Sequence, residues 1–503
     1  MWNLARACWF PPELEDRLKL PSDGRRKLVR RYSRDDDEVD VVFDILSPDA
    51  VEIACSFLSE RQSRALRQKS VYDIAQVLDV AAQMWLDPDY ELRRRAIHQI
   101  ALITGFSAEM VAHSIDLEQK SSRYPHLIQA LCDELGDPLY LDGFRANRNL
   151  CGFSRAHGPG LIGAIFSSNI PALPHLEVMR ALLVKSACLG RVSRNEPVFL
   201  SLYAQTLYEL DPELASCIAV IYWDHDDQPS EQAFLNGINH LVAYGGMAQI
   251  DRLCAIKPPS LEATWHGHKI GLSYITRQAL TKDAVEDMAR KVSYDFSVFD
   301  GHACLCPQVC LVETGGDVSP VEFAEHCARQ MRAWANELPP GRQEISEASG
   351  KYHLRELYLL RESMGEAVSV IDAPADLSYM VILEEGAQFE AAPGGRFLKI
   401  VPVADFLQAE LYMKPARGFL QNVALAVGHN DAPDLRDLGS VFAALGAARI
   451  VPPGIMGTPS MTWHHDGMAC LGRLVRWCDY ELLEPENLLD IDPEAYLEGI
   501  KTR

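Results

Sequence analysis

Apolar positions along the chain follow two rhythms. Between Val71 and Lys120, the residues Ile74, Val77, Leu78, Ala81 and Trp85 recur at three- and four-residue intervals, and Ile97, Ile100 and Ala101 repeat the pattern, which predicts an all-helical stretch. From 139 to 154, Tyr140, Leu141, Phe144, Leu150 and Phe153 are interrupted by Asp142, Gly143, Asn147 and Arg148, the texture of short strands or a hairpin. Strands and helices then alternate. Residues 161–166 form a continuous apolar strand ended by Ser167, Ser168, Asn169 and Pro171, and 176–189 read as an amphipathic helix. Val192 begins a second strand-like step, followed by a helix over 198–210, a strand over 217–223 and a strand over 240–244 closed by Gly245 and Gly246. This alternation predicts a parallel sheet covered by helices, the usual frame for a nucleotide.

The same texture returns after Tyr274, with a helix to about Tyr294, a loop from Asp300 to Cys306, a strand over 309–313 and a helix over 321–338. Near the end, 424–427 read as a strand, 441–445 as a helix and 449–451 as a strand, before a Pro/Gly-rich turn at 452–459. A second α/β lobe is the economical reading, and 503 residues exceed one ordinary core. Gly158, Gly160 and Gly163 spell G-x-G-x-x-G, but they lead into the 161–166 strand instead of joining a strand to a helix, so they are set aside as a dinucleotide fingerprint.

Charge removes several function classes. A net charge of -22 argues against a nucleic-acid partner, because phosphate binding needs concentrated Lys and Arg. The run Arg25, Arg26, Lys27, Arg30, Arg31 is followed at once by Asp35, Asp36, Asp37 and Glu38, and reads as a solvated, mobile N-terminal surface. No segment has the apolar length to span a membrane, and the start, with Arg6, Pro11 and Pro12, lacks a secretory signal, so a cytoplasmic location is expected. The 13 cysteines are then reduced, and their irregular spacing matches neither a disulfide framework nor a paired zinc motif.

Candidate chemistry sits in four places. Gly245 and Gly246 follow a strand and precede a helix over 247–255, where small residues let a diphosphate approach free backbone N–H groups; a plain tight turn satisfies the same residues. Gly301-His302-Ala303-Cys304 places a cysteine in a small-residue loop before a strand, which suits an exposed thiolate, although locally a structural cysteine fits too. Cys306 is a nearby rival, and Cys310 reads as structural. His266-Gly267-His268 and His464-His465-Asp466 are each short of a metal ligand set, so no metal is expected, and His465 reads as a proton donor or a helix-cap group.

Taken together these residues resemble the aldehyde dehydrogenase superfamily and, within it, the LuxC-like acyl-CoA or acyl-protein reductases. Ser168-Asn169-Ile170-Pro171 resembles the superfamily's Asn-x-Pro turn, 242–246 its cofactor strand and glycine turn, and Gly301 to Cys304 its nucleophile loop. Trp463-His464-His465-Asp466-Gly467 running into Leu474-Val475-Arg476-Trp477, with the helical region around Trp85 and Arg93 to Gly105, narrows the match to the reductase branch, over roughly 70–482.

The resemblance implies an α/β fold of two parallel-sheet lobes with a cleft between them. It divides the chain into a helical N-terminal region (1–138) contributing to the cofactor lobe, a cofactor-binding lobe (139–273) with a bridging hairpin near 139–156, a catalytic lobe (274–451) and a C-terminal segment (452–503) that packs back and joins an oligomer interface. Cys304 would accept the acyl group, with the Asn169 amide and the Cys304 N–H as oxyanion hole, and Ser168, Arg194, Gly245 and Gly246 would contact the dinucleotide. Arg194 near a position where relatives often have Lys favours NADPH. Oxidising relatives carry Glu-Leu-Gly-Gly-Lys, whose acid activates water; the corresponding stretch here, His268-Lys269-Ile270-Gly271-Leu272, has none, which protects a thioester for reduction. The Glu-x-Phe-Gly-Pro ribose motif is not recognisable around 384–397. The implied reaction is reduction of a fatty acyl thioester to aldehyde, with acyl-CoA, an acyl-carrier protein or an acyl-protein synthetase as donor, in a homo-oligomer. The alternatives are an aldehyde dehydrogenase working oxidatively and a non-catalytic scaffold for an acyl-transferring partner.

Overall fold

The computed structural model describes residues 2–18, 25–34, 36–147, 152–224, 226–343, 345–386, 388–390, 392–428 and 432–481. Eighteen strands among these residues form four sheets. The first holds β1 (Leu4–Arg6), β2 (Arg25–Arg34) and β3 (Asp37–Leu46). A small antiparallel sheet joins β4 (Arg145–Asn147) and β5 (Gly152–His157) to the late β18 (Arg476–Glu481). Leu150 and Arg148 of the expected hairpin lie outside the described residues, as does the C-terminal segment beyond 481.

Two parallel sheets carry the architecture. In the smaller, β6 (Leu161–Ile165), β7 (Ala187–Arg191), β8 (Ile218–Ile221), β9 (His240–Tyr244) and β10 (Glu262–His266) are ordered β10-β9-β6-β7-β8. In the larger, β11 (Ile270–Ile275), β12 (Pro307–Glu313), β13 (Val368–Asp372), β14 (Met380–Glu384), β15 (Phe397–Val403), β16 (Leu420–Ala426) and β17 (Arg449–Val451) are ordered β13-β14-β15-β12-β11-β16-β17, with β13 antiparallel. Helices cover both faces of the large sheet. Cys310 and Val312 of β12 therefore pack into one core layer, and Val309 and Leu311 into the other. A strand buried on both faces reads as an uninterrupted apolar run.

The helical stretch forms as its spacing predicts. Helix Val71–Leu86 starts at a capping box between Ser70 and Asp73 and buries Ile74, Leu78, Ala81 and Trp85 on one face. The Trp85 indole donates to Thr206 Oγ1 at 3.1 Å, tying this helix to Phe199–Leu210 of the smaller sheet's cover.

Three expectations are corrected. The basic run is not a mobile surface: it lies in β2 and pairs with residues 40–46 of β3, Arg31 opposite Asp40 with bonds of 2.8 and 3.0 Å, while Asp37 and Glu38 open β3 opposite Arg34 and Ser33 and Val39, Val41, Phe43 and Ile45 alternate into the core. This sheet is bridged to the edge strand β8, so the N-terminal region is not wholly helical. The helix expected over 176–189 stops at Leu183, because Lys185 turns left-handed (φ 60) and releases the chain into β7 without a glycine or proline to mark it. Tyr274 lies in β11, and the following helix starts only at Val285.

Candidate active site

The chain order of the smaller sheet reverses between β6 and β9, so the crevice beyond their carboxyl ends is the place where an open α/β sheet receives a ligand. Ser167, Ser168 and Asn169 follow β6, and Gly245 and Gly246 follow β9. Gly246 caps helix Met247–Ile256 without any side-chain capping bond, and a Cβ built there meets nothing within 4 Å. The first N–H groups of that helix are thus open to the crevice, an arrangement that fits the diphosphate of a dinucleotide. Arg191 and Ser193 at the end of β7 line the same space. Arg194 is not among the lining residues: its guanidinium is held by the Tyr222 hydroxyl and Asp224, each at 3.1 Å.

Across the crevice stands the loop before β12. Phe299, Asp300 and Gly301 are successively left-handed (φ 53, 51 and 72), strain that a non-glycine backbone keeps only when its surroundings impose it. Arg396 Nε donates to Asp300 Oδ1 at 2.7 Å, Gly341 N to Oδ2 at 3.0 Å, and Gly395 N to the Asp300 carbonyl at 2.8 Å. This clamp turns Cys304 into the cavity, half-buried, while Cys306 is fully buried with its thiol donating to Val298 O at 3.4 Å. Asn169 reaches over from the smaller sheet: its Oδ1 accepts from Ser167 Oγ at 2.8 Å, and its Nδ2 donates weakly to the His302 carbonyl at 3.4 Å. One cavity of about 540 Å³ is lined by Cys304, Asn169, Ser168, Gly245 and Gly246 together.

Burial pushes the Cys304 thiol up to about 12, with the Asp466 carboxylate adding to the rise and the N–H groups of Cys304 and Leu305 opposing it. The expected exposed thiolate is therefore a neutral thiol in this state.

Sequence reading kept the two histidine clusters apart, and the fold unites them. His266 at the end of β10 bonds Asp466 Oδ2 through Nδ1 at 2.7 Å, and Gln421 Nε2 donates to Asp466 Oδ1 at 2.6 Å. Tyr244, His266, His465 and Trp463 stack in series, with centroids 4.4, 4.1 and 4.8 Å apart. Burial, together with the neighbouring His266 and Arg180, holds His465 well below the usual histidine range, so its ring is neutral. His266, His465 and Asp466 place three ligand-type atoms within 4.8 Å of one another, although two of those atoms already bond each other. Each half of this group was visible as a local motif; what no local pattern carries is that residues 200 apart meet. Arg191, Gln421 and the Asp300–Arg396 clamp were likewise missed.

A family described as acyl-CoA reductase (LuxC) matches residues 66–477. The long-chain acyl-protein thioester reductase of Vibrio harveyi is 23% identical over 444 residues, covering 86% of this chain and 87% of that protein. The one from Aliivibrio fischeri is 25% identical over 442 residues, covering 85% and 87%. Among solved structures, the putative aldehyde dehydrogenase PutA from Anabaena variabilis matches with a TM-score of 0.66 at 15% identity, over 92% of this chain and 99% of its own. An NAD-dependent benzaldehyde dehydrogenase from Corynebacterium glutamicum gives 0.67 at 14% identity, over 92% and 95%. The fold is aldehyde dehydrogenase-like.

Proposed function

Because the chain belongs to the acyl-CoA reductase (LuxC) family, we propose that it reduces a fatty acyl thioester to the aldehyde with NADPH, carrying the acyl group on Cys304. The observation that supports this most is the single cavity onto which Cys304, the Asn169 amide and the open helix start at Gly246 all face. Phe166, Ile170 and Leu173 give that cavity an apolar wall suited to an alkyl chain.

In this reading Cys304 Sγ attacks the thioester carbon, the bond from that carbon to the donor sulfur breaks, and the donor leaves as a thiol with the proton that Cys304 gave up. His266, oriented by Asp466, is the group we assign to moving that proton. Its Nδ1–H is committed to the carboxylate, which leaves Nε2 as an acceptor. The Asn169 amide exchanges its weak bond to His302 for the developing oxyanion, where one donor is worth about 2.7–4 kcal/mol. A nicotinamide dinucleotide held at Ser168, Gly245 and Gly246 supplies the hydride when bound, with Arg191, rather than Arg194, placed to meet its 2′-phosphate. Hydride added to the acyl carbon would give the Cys304 thiohemiacetal oxyanion, whose carbon–sulfur bond then breaks to release the aldehyde, and a proton from solvent restores the thiol.

Against the oxidative alternative, both oxygens of Asp466, the acid lining the cleft, already accept hydrogen bonds, which leaves no free carboxylate there to activate water. The relatives' names point to a protein-borne acyl donor, and the exposed Phe153, Trp477 and Tyr480 on the β4–β5–β18 sheet suit a homo-oligomer contact. No helix among the described residues is long and apolar enough to cross a membrane. The test is Cys304→Ala with radiolabelled acyl-CoA and acyl-carrier-protein thioesters, following acyl transfer, NADPH oxidation and aldehyde together. All three are expected to vanish; undiminished labelling, or loss only in Cys306→Ala, overturns the assignment.

A further inference from the structure

Behind the nucleophile loop lies a second cavity of about 220 Å³, and His302 lines both it and the cleft. Two cations are buried in its wall. Arg396 is 1% exposed and Lys351 5% exposed, yet Arg396 Nη1, Arg396 Nη2 and Lys351 Nζ have no hydrogen-bond partner. Arg396 is ion-paired with Asp300 through Nε alone, Asp300 also accepting from Gly341 N, and the Glu347 Oε1 that faces the same space lies 3.4 Å from His302 Nε2 without a hydrogen-bond partner. Arg342 adds a third cation at the rim, and the first turn of the 19-residue helix Ile345–Ser363 borders the cavity with its positive dipole end. Buried donors of a cation that are left without an acceptor are costly enough that proteins seldom keep them unless a ligand completes them.

We propose that this cavity is a binding site for a phosphate group, with the paired Nη atoms of Arg396 and the Lys351 ammonium as its donors. A guanidinium offering two nitrogens to one group, beside a point-charge ammonium, matches the several oxygens of a phosphate. Resting on the thioester-reductase reading, the occupant follows from chemistry: an acyl donor built on a phosphopantetheine arm carries a phosphate on the same molecule as its thioester. Through His302 that phosphate would press on the loop that presents Cys304. Free phosphate offers the same chemistry and is the other source.

Binding of inorganic phosphate is measured first, by thermal shift and calorimetry at matched ionic strength against chloride, which requires no turnover. Wild type is expected to bind, Lys351→Met to bind about tenfold more weakly, as loss of one charge-assisted bond implies, and Lys351→Gln to behave like Lys351→Met, with both variants folded and at least as stable without phosphate. Equal binding in wild type and variants, or none in wild type, overturns the site. Cys304 acylation by acyl-pantetheine 4′-phosphate and by acyl-pantetheine then identifies the source. A KM advantage for the phosphorylated donor that closes in Lys351→Met assigns the site to the donor, and an advantage that is absent or unchanged while phosphate binding is lost assigns it to free phosphate. Failure of acylation with both donors would count against the reductase reading and leave the binding result standing.

Discussion

The two parallel sheets meet the cleft by opposite ends. The smaller sheet presents the carboxyl ends of β6, β7 and β9, where Ser168, Asn169, Arg191, Gly245 and Gly246 follow their strands. The larger sheet presents amino ends: Cys304 precedes β12, His268 and Lys269 precede β11, and Gln421 sits at the start of β16. At a carboxyl end, a strand-turn-helix crossing brings free N–H groups to the ligand without extra strain, so a glycine turn suffices. At an amino end nothing in the sheet aims a side chain at the cleft. Cys304 is instead aimed by three left-handed residues and the Arg396 clamp. In the proposed function one edge, apart from the Asn169 amide that reaches across to the Cys304 loop, serves binding and the other serves positioning.

Changes on the two edges should therefore separate. The largest effect is expected from Cys304→Ala, which should abolish aldehyde formation while NADPH still binds, read by nucleotide fluorescence. Next, Asn169→Ala should lower the acylation rate by about 10²–10³ at unchanged nucleotide affinity, since it removes one oxyanion donor; stopped-flow acylation decides. Gly246→Asp is the mirror case. A Cβ there meets no neighbour and an aspartate is a good helix cap, so the variant should fold normally. It should weaken NADPH binding about tenfold or more by repelling the diphosphate, with Cys304 acylation intact; lost acylation would break the division between the edges.

A smaller effect is expected from Asp466→Asn. Burial and the Asp466 charge hold the Cys304 thiol up to about 12, so wild-type alkylation by iodoacetamide should climb without a plateau from pH 6 to 9, and removal of the charge should speed it severalfold at pH 7. The smallest lies away from both edges. Burial pushes Glu118 up to about 7 against the opposing Arg180, so its neutral form is the stable one. Its contribution is full below about pH 4.5 and lost as pH rises through 7, and Glu118→Gln should gain roughly 1–3 kcal/mol over wild type at pH 8.5 while changing little at pH 4. Chemical denaturation at the two pH values measures it.

The same contrast explains what the sequence disclosed. The β9 strand with its glycine turn was legible because strand, turn and helix start are consecutive residues. Cys304 was legible only through the Gly-His-Ala-Cys resemblance, since the clamp that aims it comes from Arg396 and Gly341. Arg194 was named through its nearness to a position where relatives often have Lys, yet Tyr222 and Asp224 already hold it. The β2–β3 hairpin was hidden behind its own charges. Alternation of Val39, Val41, Phe43 and Ile45 was the available signal, but it follows directly on the basic and acidic runs, whose charge set the reading.

The clamp on Asp300 has a consequence for biosynthesis. Its arginine lies 96 residues downstream, and the Asp466 that orients His266 is 200 residues beyond that histidine. A chain emerging from the ribosome displays Cys304 well before either anchor exists, so the thiol is made early and armed late. A truncated product ending before Arg396 would carry Cys304 on a loop that lacks this anchor.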